Sequence, residues 1–149
     1  FWLKKLLVAL LCLSFASRYQ FHSMAKKDIV NRIGEDGFDL ETFKTRITNE
    51  NDKKLHIVDV YTAWCGPCVS IVPTFKNLVL TEDQFEDRCT ICQIERTAYP
   101  EYADRFKPTS KPRFLFYKAG QEVLCVDGLK APEMLKFIKE NLPEIKEEE

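Results

Sequence analysis

The stretch HIVDVYTAWCGPCVSIVPTF, residues 56–75, decides how this chain is read. A near-continuous apolar run over 55–61, interrupted by His56 and Asp59, predicts a strand covered on both faces. Cys65 and Cys68 follow, separated by Gly66 and Pro67 and preceded by Trp64. Beyond them, helical spacing over 69–80 with Pro73 inside predicts a kinked helix. A pair of cysteines in such a place can bind a metal, staple a fold or exchange disulfides.

Each use makes its own demands. Structural zinc wants four ligands, and a second pair, Cys89 and Cys92, is present. In the extended run CTICQIE, however, residues three apart point to opposite faces, their Cα atoms about 10 Å apart. They can neither share an ion nor bridge one another. His22 and His56 stand at no ligand spacing, so no metal is expected. A disulfide framework is not needed either. With 45% hydrophobic residues and 11 Phe, the chain of 149 residues can bury a single core unaided. Cys89, Cys92 and Cys125 read as small buried hydrophobes, in a reduced, intracellular setting.

Disulfide exchange fits the pattern. At a strand-to-helix junction Cys65 would meet the unpaired N–H groups and positive dipole end of the helix, which stabilise a thiolate nucleophile. Cys68, three residues on, would share the same helical face and act as the resolving thiol. Pro67 suits a first helical turn, and Gly66 leaves room for a substrate backbone. Asp59 is read as a buried carboxylate that takes the Cys68 proton, its own pKa raised by burial; the alternative is an edge or strand-end carboxylate. Trp64 is either a flat apolar lid for substrate or an aromatic that merely packs. The two thiols need no cofactor.

Around this stretch, 29–33 is read as an edge strand broken by Gly34 and Gly37, and 38–48 as a helix. A polar loop covers 49–54, a second buried strand 89–94, and a short helix 100–106. A hairpin joins 114–117 to 122–126 around Ala119 and Gly120, and a last helix spans 132–142 with Met134, Leu135, Phe137, Ile138 and Leu142 on its apolar face. The alternation predicts an α/β domain with a central mixed sheet.

VDVYTAWCGPC resembles the active-site strand and turn of the thioredoxin superfamily. Pro73 stands where thioredoxins carry their helix proline. KPRFLFYKAG resembles the family strand with its preceding cis-proline, which gives that role to Pro112 and exposes the Lys111 backbone for a substrate strand. Gly120 and Gly128 match the family's turn and bulge glycines. The resemblance covers about 29–142 and implies a thioredoxin fold, a central mixed sheet flanked by helices on both faces. It implies a dithiol–disulfide oxidoreductase with a Cys65–Cys68 redox disulfide, and substrate contacts from Trp64, Gly66, Pro67, Lys111 and Pro112. Protein disulfides are the implied substrates, and a thioredoxin-reductase-type donor the implied source of electrons.

The chain also departs from ordinary thioredoxins. Val69 replaces the usual basic residue after the motif, Gln93 stands in for a charged residue near Asp59, and Lys111 and Arg113 flank Pro112. With Lys107 they predict a basic rim favouring acidic partners. These features, with MAKK at 24–27 and the closing NLPEIKEEE, resemble the thioredoxin domains of axonemal outer-arm dynein. Some of those are fused to nucleoside diphosphate kinase modules, whose signature this chain lacks. That resemblance implies a redox-sensitive binding subunit among dynein subunits in a cilium or flagellum.

The ends are read separately. Residues 1–23 have signal-peptide grammar: Lys4 and Lys5, an apolar stretch over 6–15, and small residues at Ser14 and Ala16. Met24 also looks like a natural start, in which case 1–23 are a non-native leader. The domain is then 24–142 and the acidic tail 143–149, in a cytoplasmic or axonemal setting, or a secretory one if the leader is a real signal. A formal net charge of −1 gives no general pull towards nucleic acid or anionic membrane.

Overall fold

The computed structural model describes residues 28–145. The leader 1–23, Met24, His22 and the final glutamates lie outside them. Five strands form one mixed sheet in the order β1-β3-β2-β4-β5. They are β1 (Val30–Arg32), β2 (Leu55–Tyr61), β3 (Cys89–Glu95), β4 (Arg113–Lys118) and β5 (Gln121–Asp127). β1 and β2 run parallel to β3, whereas β4 runs antiparallel to both β2 and β5. β2 is therefore central, as its apolar run requires, and β1 is an edge.

Alternation along β2 sends its side chains into two separate cores. Leu55 and Ile57 join Ile91, Phe114 and Phe116 beneath α2 (Val72–Thr81) and α5 (Ala131–Asn141), which contribute Phe75, Leu78, Met134 and Ile138. Val58 and Val60 join Ile94, Leu115 and Tyr117 beneath α1 (Leu40–Thr48) and α4 (Pro100–Arg105), which contribute Phe43, Ile47 and Tyr102. Helices on both faces are thus the direct result of a strand with no polar side. Cys89 belongs to the first core and Cys92 to the second, so the two thiols point apart as the period of a strand dictates.

α1 starts where Asp39 caps it, its carboxylate accepting the Thr42 N–H at 2.8 Å. The hairpin turns on Ala119 and Gly120, both with positive φ, 49° and 73°. A methyl group on Gly120 would lie 2.9 Å from the Thr48 carbonyl oxygen, so this turn needs glycine for space as well as conformation.

Three expectations are corrected. The helix after the cysteines starts at Val72, with Pro73 in its first turn, where a missing N–H costs nothing; no kink is needed. Cys125 is exposed, because β5 is the other edge strand and only Leu124 and Val126 reach the helix-covered core. Gly128 follows β5 with φ 79° and is not a bulge within it; the irregular register lies between Phe116 and Tyr117. Two short elements have too few residues to show periodicity, a helical turn α3 (Phe85–Arg88) and a 3-10 turn at Arg96–Ala98.

Candidate active site

The site grows from the C-terminal end of β2. Thr62, buried, gathers the turn: its carbonyl accepts the Cys65 and Gly66 N–H groups, both at 3.0 Å. The Cys65 Sγ lies 3.2 Å from the same oxygen and 3.7 Å from the Thr109 carbonyl. The Thr109 N–H in turn points to the Thr62 hydroxyl at 3.4 Å. Cys65 therefore sits between two loops, exposed, with Cys68 half-buried behind it; both are free thiols.

This geometry corrects the expected helix-terminus setting of Cys65. Residues 66–69 carry no helix, and Ile71 is the N-cap. Gly66 has φ 69°, a left-handed conformation that cannot open a right-handed helix. Pro67 also biases Gly66 away from helical backbone. Pro67 is thus in the turn rather than in a first helical turn. α2 begins at Val72, seven residues after Cys65.

Asp59 is fully buried, on the same side of β2 as Leu55 and Ile57. Its Oδ2 accepts the Cys68 backbone N–H at 3.1 Å and the Gln93 side-chain Nε2–H at 2.9 Å. Its Oδ1 has no hydrogen-bond partner among the described residues. Burial pushes the Asp59 carboxyl up to about 6, and the Gln93 and Cys68 hydrogen bonds only partly oppose this. A carboxyl poised near neutrality and bonded to the Cys68 backbone is of the kind that can accept and return a proton. Edge placement is excluded, since β2 is flanked by β3 and β4.

Trp64 and Val69 stand open on either side of the cysteines, 67% and 68% exposed. Trp64 is not packing into the core. Pro112 is half-buried, and its carbonyl accepts the Gly128 N–H at 2.8 Å. The Lys111–Pro112 bond is trans, since there is no cis peptide among the described residues. This corrects the cis-proline reading; trans is the ordinary preference for an X–Pro bond, by about 0.5–1 kcal/mol. The Lys111 N–H is directed to the Thr109 hydroxyl at 3.3 Å rather than left open. The basic rim is also smaller than expected. Lys107 and Lys111 are exposed, but Arg113 is committed to Asp127 at 2.7 Å, to the Lys107 carbonyl at 3.0 Å and to the Phe106 ring at 4.8 Å. An arginine in a strand opposite an aspartate has a cross-strand partner, and that pairing competes with a role in a rim.

Sequence reasoning missed Thr62 and Thr109, whose carbonyls face the Cys65 sulfur. A main-chain carbonyl has no residue signature; the only pointer is that Thr109 lies in the same proline-flanked loop as Pro112.

The Thioredoxin family model matches residues 37–140. A dynein 14 kDa light chain of the flagellar outer arm of Chlamydomonas reinhardtii is 32% identical over 108 residues, covering 66% of this chain and 81% of that one. A dynein 16 kDa light chain of the same outer arm is 34% identical over 82 residues, 54% of this chain; the chain spans only about half, 52%, of its length. The crystal structure of a reduced Schistosoma mansoni thioredoxin pre-protein aligns with a TM-score of 0.51 at 29% identity, covering 76% of this chain and 98% of that one. With five strands in thioredoxin order, a buried carboxylate under CGPC and a family match over most of the described residues, the chain belongs to the thioredoxin family.

Proposed function

We propose that the chain is a dithiol–disulfide oxidoreductase that reduces disulfides in partner proteins. The observation that carries this reading is the buried Asp59 carboxyl, pushed up to about 6, with its Oδ2 3.1 Å from the backbone amide of Cys68, three residues after an exposed Cys65. The Cys65 thiolate attacks one sulfur of the partner disulfide. A Cys65–partner S–S bond forms, the partner S–S bond breaks, and one partner sulfur leaves as thiolate. Cys68 gives its proton to Asp59 and attacks the Cys65 Sγ. The Cys65–Cys68 bond forms, the mixed disulfide breaks, and the second partner sulfur leaves and takes up a proton. Two electrons have passed to the partner, and a thioredoxin-reductase-type donor returns them to the Cys65–Cys68 disulfide. Trp64, Gly66, Pro67, Lys111 and Pro112 form the surface on which the partner docks, with Trp64 and Val69 as its apolar lips.

The test is turnover of a protein disulfide such as that of insulin under a small-molecule dithiol. Cys65→Ser abolishes turnover, and Cys68→Ser accumulates partner as reductant-sensitive adducts. Retained turnover by Cys65→Ser refutes the mechanism.

A second reading, a redox-sensitive binding subunit of an axonemal dynein, is favoured by the relatedness to two outer-arm light chains. Trapping with Cys68→Ser in axonemal extract separates the two. Many adducts, absent from a Cys65→Ser, Cys68→Ser background, mean a general reductase. One or two motor subunits mean a dedicated one. Specific partners held equally by the background mean docking without redox exchange.

A further inference from the structure

Arg32, Gln93 and Asp59 lie in one row across three neighbouring strands, because Arg32 is directly opposite Gln93 and Gln93 directly opposite Asp59. Their parity matches Val30, Ile91 and Ile57, so all three side chains lie on the face that carries α2. The contacts run continuously along the row. The Arg32 Nε–H donates to the Gln93 Oε1 at 3.1 Å. The Gln93 Nε2 donates to the Asp59 Oδ2 at 2.9 Å and approaches the Cys68 carbonyl at 3.4 Å. The Cys68 N–H closes on the same Oδ2 at 3.1 Å.

An amide has one end that donates and one that accepts, and either can point inward. Facing a buried carboxylate, the wrong end would set oxygen against oxygen. Arg32 settles the choice, since a guanidinium can only donate and so claims the amide oxygen. The charge of Arg32 is meanwhile answered on its outer side by Asp28 and Glu35, each at 3.4 Å.

We propose that Arg32, at the edge of the sheet, is a positioning residue of this site, fixing the Gln93 amide so that its N–H groups face Asp59 and Cys68. The proposal rests on Asp59 being the proton acceptor for Cys68, and it adds the residue that sets how that acceptor is held. The other titratable groups tied to Asp59 are the Tyr61 hydroxyl on its own strand and the Cys92 thiol on β3. Burial is the main cause that raises both, with Asp59 adding to it and Arg46 opposing it at Cys92, which is pushed up to about 12. From β4 the residue opposite is Phe114, and from the segment before α2 it is Cys68.

The experiment follows the Asp59 carboxyl by 13C NMR titration in the full, reduced chain, in parallel with the pH profile of mixed-disulfide resolution. Arg32→Met, a change at a side chain 33% exposed, should raise the Asp59 midpoint by about one pH unit, through loss of an oriented hydrogen bond to a charged group. Gln93→Leu should raise it at least as far, and the double variant no further than Gln93→Leu alone. An unmoved midpoint in Arg32→Met overturns the proposal. So does strict additivity in the double variant, which would mean that Arg32 acts on Asp59 by charge and not through Gln93. If the midpoint moves and the resolution profile does not, Arg32 still positions the amide and it is the proton role of Asp59 that fails.

Discussion

Replacing Asp59 by Asn should change the pH dependence of stability more than stability itself. Burial sets the folded carboxyl near 6, against an ordinary 3.8. That difference of about two pH units corresponds to about 3 kcal/mol. Between those two values the folded state keeps a proton that the unfolded chain has lost. Stability is therefore highest below the unfolded pKa, falls as pH rises through the window, and stays reduced above it. From pH 4 to pH 7 the loss from this one group is about 2 kcal/mol. Asn has no such term. Its oxygen can keep the N–H groups of Cys68 and Gln93, while its NH2 takes the place of the unpartnered Oδ1. That mismatch costs about 1–3 kcal/mol, the same at every pH. Urea unfolding of both reduced proteins at pH 4 and pH 7 cancels the fixed cost. With an m-value of about 1–3 kcal/mol/M, the gap between their midpoints should change by about 1 M in favour of Asn at pH 7. Parallel stability curves for the two proteins would refute the argument, since they would mean that Asp59 is no more costly to ionise folded than unfolded.

Asp59→Asn should also slow resolution of the mixed disulfide more than first attack, measured by stopped-flow on each step; equal slowing of both counts against its role. Gly120→Ala should lower the melting temperature by about 5–10 °C, from about 1–2 kcal/mol of left-handed backbone strain plus the Thr48 clash; an unmoved melt would show that the turn relaxes freely. Trp64→Ala should leave stability within about 0.5 kcal/mol, because the ring is 67% exposed. It should raise KM for a protein disulfide by about fivefold, and a large drop in melting temperature with KM unchanged would make Trp64 a packing residue.

The sheet was readable because its central strands are apolar on both faces. The run at 55–61 and the one beginning at Cys89 have no polar side, and only a two-sided cover satisfies that. Asp59 stood out for the same reason, as a charge where none is affordable unless used. What escaped was whatever depends on backbone direction. The positive φ at Gly66 keeps the turn out of a helix, and the helix spacing of Val69 and its neighbours does not record it. The exposure of Cys125 follows from the absence of a neighbour for β5 on one face, a property of topology and not of the local run. Arg113 looked like a free cation from its position near Pro112, but its partner Asp127 is 14 residues away and becomes adjacent only through the hairpin.

The opposed placement of Cys89 and Cys92 gives the molecule an internal gauge of its own unfolding. Both thiols are sealed, 4% and 3% exposed, one under each layer of helices, and burial pushes both well above the ordinary thiol range. An alkylating reagent should meet Cys65, Cys68 and Cys125 in the folded state, but must wait for the sheet to open before it meets these two. Because each lies beneath a different layer, their labelling rates would coincide if the domain opens as one unit and diverge if one layer of helices lifts first.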